Sequence, residues 1–269
     1  MSKRIDLLRL DYLFSVIVPL LVAIFLNNLN PLEHMDIVIG FSFLAITGNT
    51  WNDVIDMKHP EEKETLERIE GYHPREIFTI GAVTFVLGLT LLLRTCVQHP
   101  INAIFLILII VLVLVYCVWI KPVPIANHIV LGMSHVVLPY FMIKIDAGIP
   151  IMSEKEWLLI FCFFAFAVTG QFVHEVIDED SLRKHLSLRQ CQILIQISSA
   201  ITLVLGLWAF VVLAQYYFLP FIFMPIGTMY TFRRPTASTK GVKDIGILIG
   251  NFLLVYFTCL IVIQMAGVI

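Results

Sequence analysis

Two short polar stretches share the same spacing of amide, polar and acidic side chains. In each, an amide is followed by a polar residue three positions later, an acid four later and a second acid seven later. The two series are Asn49, Asn52, Asp53 and Asp56, and then Gln171, His174, Glu175 and Asp178. Because these offsets fall on one face of an α-helix, each stretch predicts a helix with a polar stripe. Two carboxylates one turn apart on each of two helices would offer the oxygen ligands that Mg²⁺ prefers beside water and phosphate.

The helices that carry these stripes are predicted to lie in a membrane. Hydrophobic residues make up 59% of the 269 positions, charged residues only 14%, and the mean hydropathy is +0.89. Long apolar runs need lipid as their solvent, where only helices or closed barrels satisfy the backbone. Barrel strands would alternate apolar and polar residues, and runs such as 101–120 do not. The sequence therefore predicts an all-α, polytopic membrane protein.

The apolar runs predict nine membrane-spanning helices, each near the roughly 20 residues needed to cross a bilayer. They fall near residues 11–27, 36–56, 77–94, 101–120, 126–145, 156–178, 190–212, 215–232 and 245–267. The linkers between them are too short to separate independently folding units, so we expect one domain over residues 1–269. The first stripe then ends the second span, and the second stripe ends the sixth.

The distribution of positive charge predicts the orientation of these spans. With the N-terminus in the cytoplasm, all of the 18 Lys and Arg residues except Arg94, Lys144 and Lys155 lie on the cytoplasmic side, as the positive-inside rule requires. Both acidic stripes would leave the membrane on that side. No basic stretch interleaved with aromatic residues suggests nucleic acid as a partner, and the five scattered cysteines, without a CxxC pair, are interpreted as apolar fillers.

Acids at the ends of spans usually cap helices and contact water, and that is the alternative interpretation of both stripes. Two features favour a functional site instead. Asn49 and Gln171 lie a full turn deeper, where a polar group without a partner is costly, and the pattern occurs twice on the same side. Basic residues follow in the same loops, at positions suited to binding a diphosphate beside metal ions: Arg68, Arg75, Lys121, Arg183 and Lys184.

These residues resemble the UbiA superfamily of intramembrane prenyltransferases. The family's first motif, Asn-Asp-x-x-Asp-x-x-x-Asp, is matched at Asn52, Asp53 and Asp56, while Pro60 replaces its last acid. The second motif is matched at Glu175, Asp178 and Asp180, followed by the basic pair Arg183-Lys184, while Leu182 replaces its last acid. The segment from Arg68 to Glu76, and Tyr116 with the run from Lys121 to Asn127, also resemble family segments.

The resemblance implies nine helices bundled around a central cavity, in which Mg²⁺ holds the head group of an isoprenyl diphosphate. It implies catalytic and metal-binding roles for Asp53, Asp56, Glu175 and Asp178, with Asp180 as a further metal ligand. It also implies diphosphate-binding roles for a set of polar residues, namely Asn49, Asn52, Arg68, Lys121, His174, Arg183 and Lys184. The prenyl chain would pass to a small aromatic or lipid acceptor.

Several alternatives stay open at this point. A terpene cyclase on the same scaffold would need no acceptor, and the two lost acids at Pro60 and Leu182 leave room for it. A transporter or channel could use the acids as cation sites. His174 could contact phosphate, act as a base or be structural. His128 and His135 could face the cavity and orient an acceptor, or simply pack.

Overall fold

A computed structural model describes residues 5–60, 63–178, 181–234 and 240–268. These residues form helices, turns and loops, with no strand among them. The α-helices are α1 (Phe14–Leu26), α2 (Met35–Asp56), α3 (Lys63–Arg68), α4 (Pro74–Gln98), α5 (Pro100–Val115), α6 (Ala126–Gly132), α7 (Leu138–Asp146), α8 (Glu154–Ile177), α9 (Ser181–His185), α10 (Leu188–Leu213), α11 (Pro220–Thr231) and α12 (Lys240–Met265). A π-helical segment, Tyr116–Ile120, extends α5, and a second, Met133–Val137, joins α6 to α7.

Each of the nine predicted spans is helical in the described residues, and six helices are long and apolar enough to cross a membrane. These six are Pro74–Gln98, Pro100–Ile120, Ala126–Asp146, Glu154–Ile177, Leu188–Leu213 and Gly246–Met265. The first and eighth predicted spans are shorter helices, Leu10–Leu26 and Pro220–Thr231. The second predicted span corresponds to α2, which is 22 residues long but carries the first polar stripe in its last turns. The protein is an all-helical integral membrane protein, and a count of nine crossings stays a prediction.

The helices begin where the local sequence supplies a cap. Ser153 before α8 and Ser187 before α10 each form a capping box, with Glu156 and Gln190 three residues later. These reciprocal bonds satisfy backbone N–H groups that have no partner inside the helix. Proline occupies the first position of α4, α5 and α11, where its missing N–H costs nothing.

Helix α1 is enclosed on all sides by other helices. Every residue from Val16 to Phe25 is buried, and α1 packs against α2, α7 and α12. Fully buried aromatic rings, among them Phe218, Phe221 and Phe257, belong to the same core. A helix that is apolar all round is expected in such an enclosed position. The centre of the core thus holds α1, and the central cavity implied by the resemblance stays a prediction.

The helices that carry the two stripes each pack tightly against the next long helix. Between α2 and α4, Gly81 lies directly beneath the Trp51 ring, and the Thr47 and Thr84 hydroxyls are 2.9 Å apart. Between α8 and α10, the hydroxyls of Thr169 and Ser198 are 2.6 Å apart. Small residues and hydroxyl pairs allow close helix contacts inside a membrane, where the hydrophobic effect does not drive helices together. These contacts set the position of each polar stripe.

The far end of the bundle, opposite the stripes, holds a second set of buried charges. Lys144 Nζ lies 2.7 Å from Glu156 Oε1 and donates to Asn27 Oδ1 at 2.9 Å, with both charged side chains almost fully buried. Arg94 pairs with Asp36 and, at 3.1 Å, with Asp146. Two of the three basic residues that the sequence places on this side are therefore neutralised by acids.

We predict that Gly81→Ala destabilises the protein by about 1–3 kcal/mol, because the new methyl group would overlap the Trp51 ring and overpack the α2–α4 contact. The ring is stacked on Phe78, with centroids 5.6 Å apart, and has little room to move. Thermal unfolding in detergent measures the effect.

The matched control is Gly227→Ala in α11, where a new methyl group meets no atom within 4 Å. That change should be neutral or stabilise by up to about 1 kcal/mol, since alanine is the better helix former. Equal unfolding temperatures for the two variants would contradict the close approach of α2 and α4.

Candidate active site

The first stripe is neutralised by an arginine from the short helix that follows it. Asp53 is fully buried, and its Oδ1 accepts a 2.6 Å hydrogen bond from Arg68 Nη2. Arg68 is the last residue of α3, which places its side chain beneath the end of α2. Asp53 Oδ2 and Arg68 Nε are buried and have no hydrogen-bond partner among the described residues. The pair therefore keeps one acceptor and one donor available to a ligand.

Asp56, one turn later, is held by a lysine from a distant loop. Its Oδ1 lies 2.8 Å from Lys121 Nζ, and its Oδ2 accepts a 2.7 Å bond from Asn52 Nδ2. Lys121 directly follows the π-helical segment Tyr116–Ile120, and π-helical turns occur frequently at functional sites. Asn52 Oδ1 is buried without a partner in the described part of the chain. The structure thus brings together three residues of the first stripe and two of the basic residues predicted to bind diphosphate, Arg68 and Lys121.

Glu175, in the second stripe, accepts hydrogen bonds from several neutral donors. Its Oε2 accepts bonds from Ser181 Oγ at 2.6 Å and from the Leu182 N–H at 3.1 Å. Its Oε1 accepts a short bond from Asn127 Nδ2 and lies 3.2 Å from His128 Nε2. The buried Glu175 carboxylate is therefore balanced by amide, hydroxyl and backbone donors.

His174 and Asp178 form a more open pair on the same helix. His174 Nδ1 lies 2.8 Å from Asp178 Oδ2, an i, i+4 contact at the end of α8. The His174 ring is also close to Tyr12, with centroids 6.3 Å apart, and the Arg9 guanidinium lies 4.2 Å above the Tyr12 ring. Burial alone would lower the pKa of Arg9, but Tyr12 and the charge of Asp53 raise it above its ordinary value. The segment before α1 therefore lies beside both stripes.

Several residues of this cluster were not among the predicted site residues. Asn127 and Ser181 both bond Glu175, and the Arg9 guanidinium lies over the Tyr12 ring, which is close to His174. Asn127 belongs to the loop that resembles a family segment, which is the one signal that could have singled it out. His128 is buried beside Glu175, its ring edge-to-face with Phe172 at 4.6 Å, which favours packing over an exposed cavity position.

Other predicted residues lie farther from these contacts. Arg183 Nη1 donates to the backbone oxygen of Leu186 at 3.2 Å. Asn49 and Gln171 are half-buried, one turn deeper than the acids. Asp180 lies outside the described residues. The predicted metal-binding and diphosphate-binding roles of all these residues, and of those described above, stay predictions.

The donor atoms of the first stripe suit a hard metal ion. Within the described residues, no group of three or more His, Cys, Asp or Glu side chains is gathered as a complete metal site. Asp53 Oδ2 and Asn52 Oδ1 are nonetheless buried oxygens that lack a protein partner. Mg²⁺ commonly takes one or two carboxylates and completes its shell with water and phosphate oxygens. The residues present therefore fit a Mg²⁺ ion that arrives together with a phosphate ligand.

Two surface grooves adjoin this end of the bundle. One, of about 410 Å³, is lined by Val54, Arg75 and Phe78. The other, of about 300 Å³, runs between α8 and α10 and reaches Phe172. Both are lined mostly by apolar side chains.

Fold and site together define a helical integral membrane protein in which acidic and basic side chains from separate helices meet at one end of the bundle. The model of the UbiA prenyltransferase family matches residues 16–243, and the chain belongs to this family. No curated protein sequence matches the chain.

Solved structures with the same fold share little sequence with this chain. A UbiA homolog from Archaeoglobus fulgidus bound to GPP and Mg²⁺ is 15% identical, with 96% of this chain and 99% of that chain covered and a TM-score of 0.72. The same homolog bound to DMAPP and Mg²⁺ is also 15% identical, with 97% and 99% covered and a TM-score of 0.71. A structure described for the biosynthesis of digeranylgeranylglyceryl phosphate synthase is 14% identical, with 100% and 99% covered and a TM-score of 0.58.

We predict that Arg68→Met lowers the free energy of unfolding by about 3–5 kcal/mol, because it leaves the buried Asp53 carboxylate without its partner. The double variant Asp53→Asn with Arg68→Met should recover most of this loss. Arg75→Met, at an exposed position at the start of α4, is the control and should have little effect. Thermal unfolding of the purified protein distinguishes these outcomes, and a single Arg68→Met variant as stable as the control would contradict the pairing.

Proposed function

We propose that the protein is a Mg²⁺-dependent intramembrane transferase that ionises an isoprenyl diphosphate and joins the prenyl chain to a small aromatic or lipid acceptor. Family membership supports an enzyme that uses a prenyl diphosphate. The solved homolog bound to GPP or DMAPP with Mg²⁺ supports this class of substrate. The acceptor, and transfer as the reaction, belong to the proposal alone.

The observation that carries the proposal is the pairing of two acids with two cations at the end of α2. Asp53 with Arg68, and Asp56 with Lys121, place negative and positive groups side by side. A diphosphate needs cationic donors for its oxygens, and the acids with Asn52 supply oxygens for its metal ions. When bound, Mg²⁺ would stabilise the negative charge that develops on the departing diphosphate.

Ionisation leaves an allylic cation that water would capture. The apolar side chains near the acids, among them Phe172 and Val176 on α8, would exclude water from the reacting carbon. Arg68 and Lys121 would hold the diphosphate after the carbon–oxygen bond breaks. The positive-inside pattern further supports a site that opens to the cytoplasm.

A terpene cyclase is the second candidate function, and the apolar environment of Leu182 supports it. Where the family motif has its last acid, Leu182 is buried and packs with Phe172, Cys191 and Phe232. This part of the site is apolar, as a cyclase would need. A transferase that binds one metal ion less tightly also fits this environment.

We predict that Asp53→Ala and Asp178→Ala each lower Mg²⁺-dependent turnover of isoprenyl diphosphate by about 10²-fold or more, as expected for the loss of a group that stabilises charge in the transition state. The assay follows release of diphosphate from GPP or DMAPP by the protein in lipid nanodiscs, with candidate aromatic and lipid acceptors added to capture the prenyl group. Glu154→Gln, an exposed acid at the far end of α8, is the control and should retain activity. Turnover that survives both alanine substitutions would refute the metal assignment.

Product analysis separates the two candidates. We expect no prenylated product from membranes given isoprenyl diphosphate and Mg²⁺ alone, and prenylated product once an aromatic or lipid acceptor is added. Cyclic hydrocarbon or alcohol formed without an acceptor would replace the transferase proposal by the cyclase.

A further inference from the structure

The loop between Lys121 and α6 contains a strained turn. The Ala126 N–H donates to the Pro124 carbonyl at 2.8 Å, which closes a three-residue γ-turn centred on Ile125. Ile125 has φ 70° and ψ −49°, close to the rare, strained form of this turn. A β-branched residue at positive φ is an outlier, and such strain persists only where the surroundings impose it. The strained conformation of Ile125 therefore has to be imposed by contacts of the neighbouring residues.

The residue held by this turn is Asn127, near the start of α6. Its side chain is buried, with 2% of the residue exposed. Its Nδ2 donates to the Lys121 carbonyl at 3.1 Å and to Glu175 Oε1, and its Oδ1 accepts from the His128 N–H at 2.7 Å. The Asn127 amide thus contacts both Lys121, which neutralises Asp56, and Glu175 of the second stripe.

These contacts form a continuous path between the two stripes. Asp56 Oδ1 bonds Lys121 Nζ, the Lys121 carbonyl accepts from Asn127, and Asn127 donates to Glu175. α2 and α8 are far apart in sequence, so nothing local relates their ends. The path sets how far the acids of one stripe lie from those of the other.

We propose that Asn127 is a positioning residue, which fixes Lys121 and Glu175 relative to each other so that both stripes act on one Mg²⁺–diphosphate. This inference rests on the proposed function. An amide suits the task because it donates to the carbonyl and the carboxylate with the same nitrogen. A carboxylate of the same shape would offer no donor and would repel Glu175.

A second buried asparagine supplies a matched control. Asn102 is fully buried at the far end of the bundle, where its Nδ2 donates to Thr95 Oγ1 at 2.7 Å and to the Met142 carbonyl at 3.0 Å. It therefore makes two donor bonds from one amide, as Asn127 does, away from the acidic stripes. Truncating either residue removes two donor bonds of a buried amide, and truncating Asn127 also removes a donor from the buried Glu175 carboxylate.

The experiment compares the full-length protein with Asn127→Ala, Asn127→Asp and Asn102→Ala. Thermal unfolding is followed with GPP over a range of Mg²⁺ concentrations, and Mg²⁺-dependent turnover of GPP is measured in parallel with candidate aromatic and lipid acceptors added. We expect both alanine variants to unfold at lower temperatures without ligand, with the larger decrease for Asn127→Ala, because it leaves the buried Glu175 carboxylate with one donor fewer. Only Asn127→Ala should need about tenfold more Mg²⁺ for half-maximal stabilisation and turnover, the effect typical of losing a group that orients metal ligands. Asn127→Asp should be impaired further.

Asn127→Ala with the Mg²⁺ dependence of Asn102→Ala would overturn the positioning role while leaving the proposed function intact. If the unaltered protein is not stabilised by GPP and Mg²⁺ together, the proposed function fails and the positioning role fails with it. Should Asn127→Ala not fold, Ile125→Pro tests the same path, since proline excludes the positive φ of the turn. We expect that variant to show the same raised Mg²⁺ requirement, and an unchanged requirement would count against the proposal.

Discussion

A carboxylate buried in a membrane bundle has to be balanced by a cation or by hydrogen-bond donors, and both ends of this molecule are organised around that requirement. At the far end, Glu156 is balanced by Lys144 in a closed set of contacts that also satisfies Tyr140. At the other end, Asp53 is balanced by Arg68, yet one oxygen and one nitrogen of this pair keep no partner among the described residues. The contacts of Lys144 and Glu156 are complete and suit a structural role, while Asp146 Oδ1 and Asn102 Oδ1 at the same end are buried without a partner among the described residues. The contacts of Asp53 and Arg68 are incomplete, which is the property expected of a site that receives a ligand.

The two stripes have the same spacing of residues, but different groups face the carboxylates of Asp56 and Glu175. Asp56 faces the charged Lys121, whereas Glu175 is held by Ser181, Asn127 and a backbone N–H. Ion pairs can exchange partners when a charged ligand arrives, because another cation can take the place of the first. Neutral donors that satisfy a buried carboxylate hold it in one orientation and are costly to remove. Asp56 is therefore the more adaptable of these two acids, and Glu175 the more rigidly held.

Much of this end of the molecule followed from sequence, because its determinants are local. The i, i+4 spacing that predicts a polar face also places His174 against Asp178. Basic residues near the acids were expected because such residues follow the apolar runs on one side of the membrane, but their direct pairing, Asp53 with Arg68 and Asp56 with Lys121, appears only in the fold. Asn127 could not be singled out in this way, since its contacts join segments that only the folded bundle brings together. The spacing of apolar residues likewise cannot show that α1 lies at the centre of the core. A uniformly apolar helix has the same sequence pattern whether lipid or protein surrounds it.

The balance of charge at the first stripe also bears on how a diphosphate could enter an apolar bundle under the proposed function. Without ligand, the two carboxylates of Asp53 and Asp56 are offset by the cations of Arg68 and Lys121. A diphosphate that carries Mg²⁺ is itself close to neutral, so its arrival changes the net charge of the site little. Asp53 and Asp56 would then hold the metal ion while Arg68 and Lys121 would hold the phosphate oxygens, so that each charged side chain would exchange one partner for another. Because the desolvation cost of a buried charge depends on whether it stays paired, such an exchange avoids the unpaired state that a low-dielectric site penalises most.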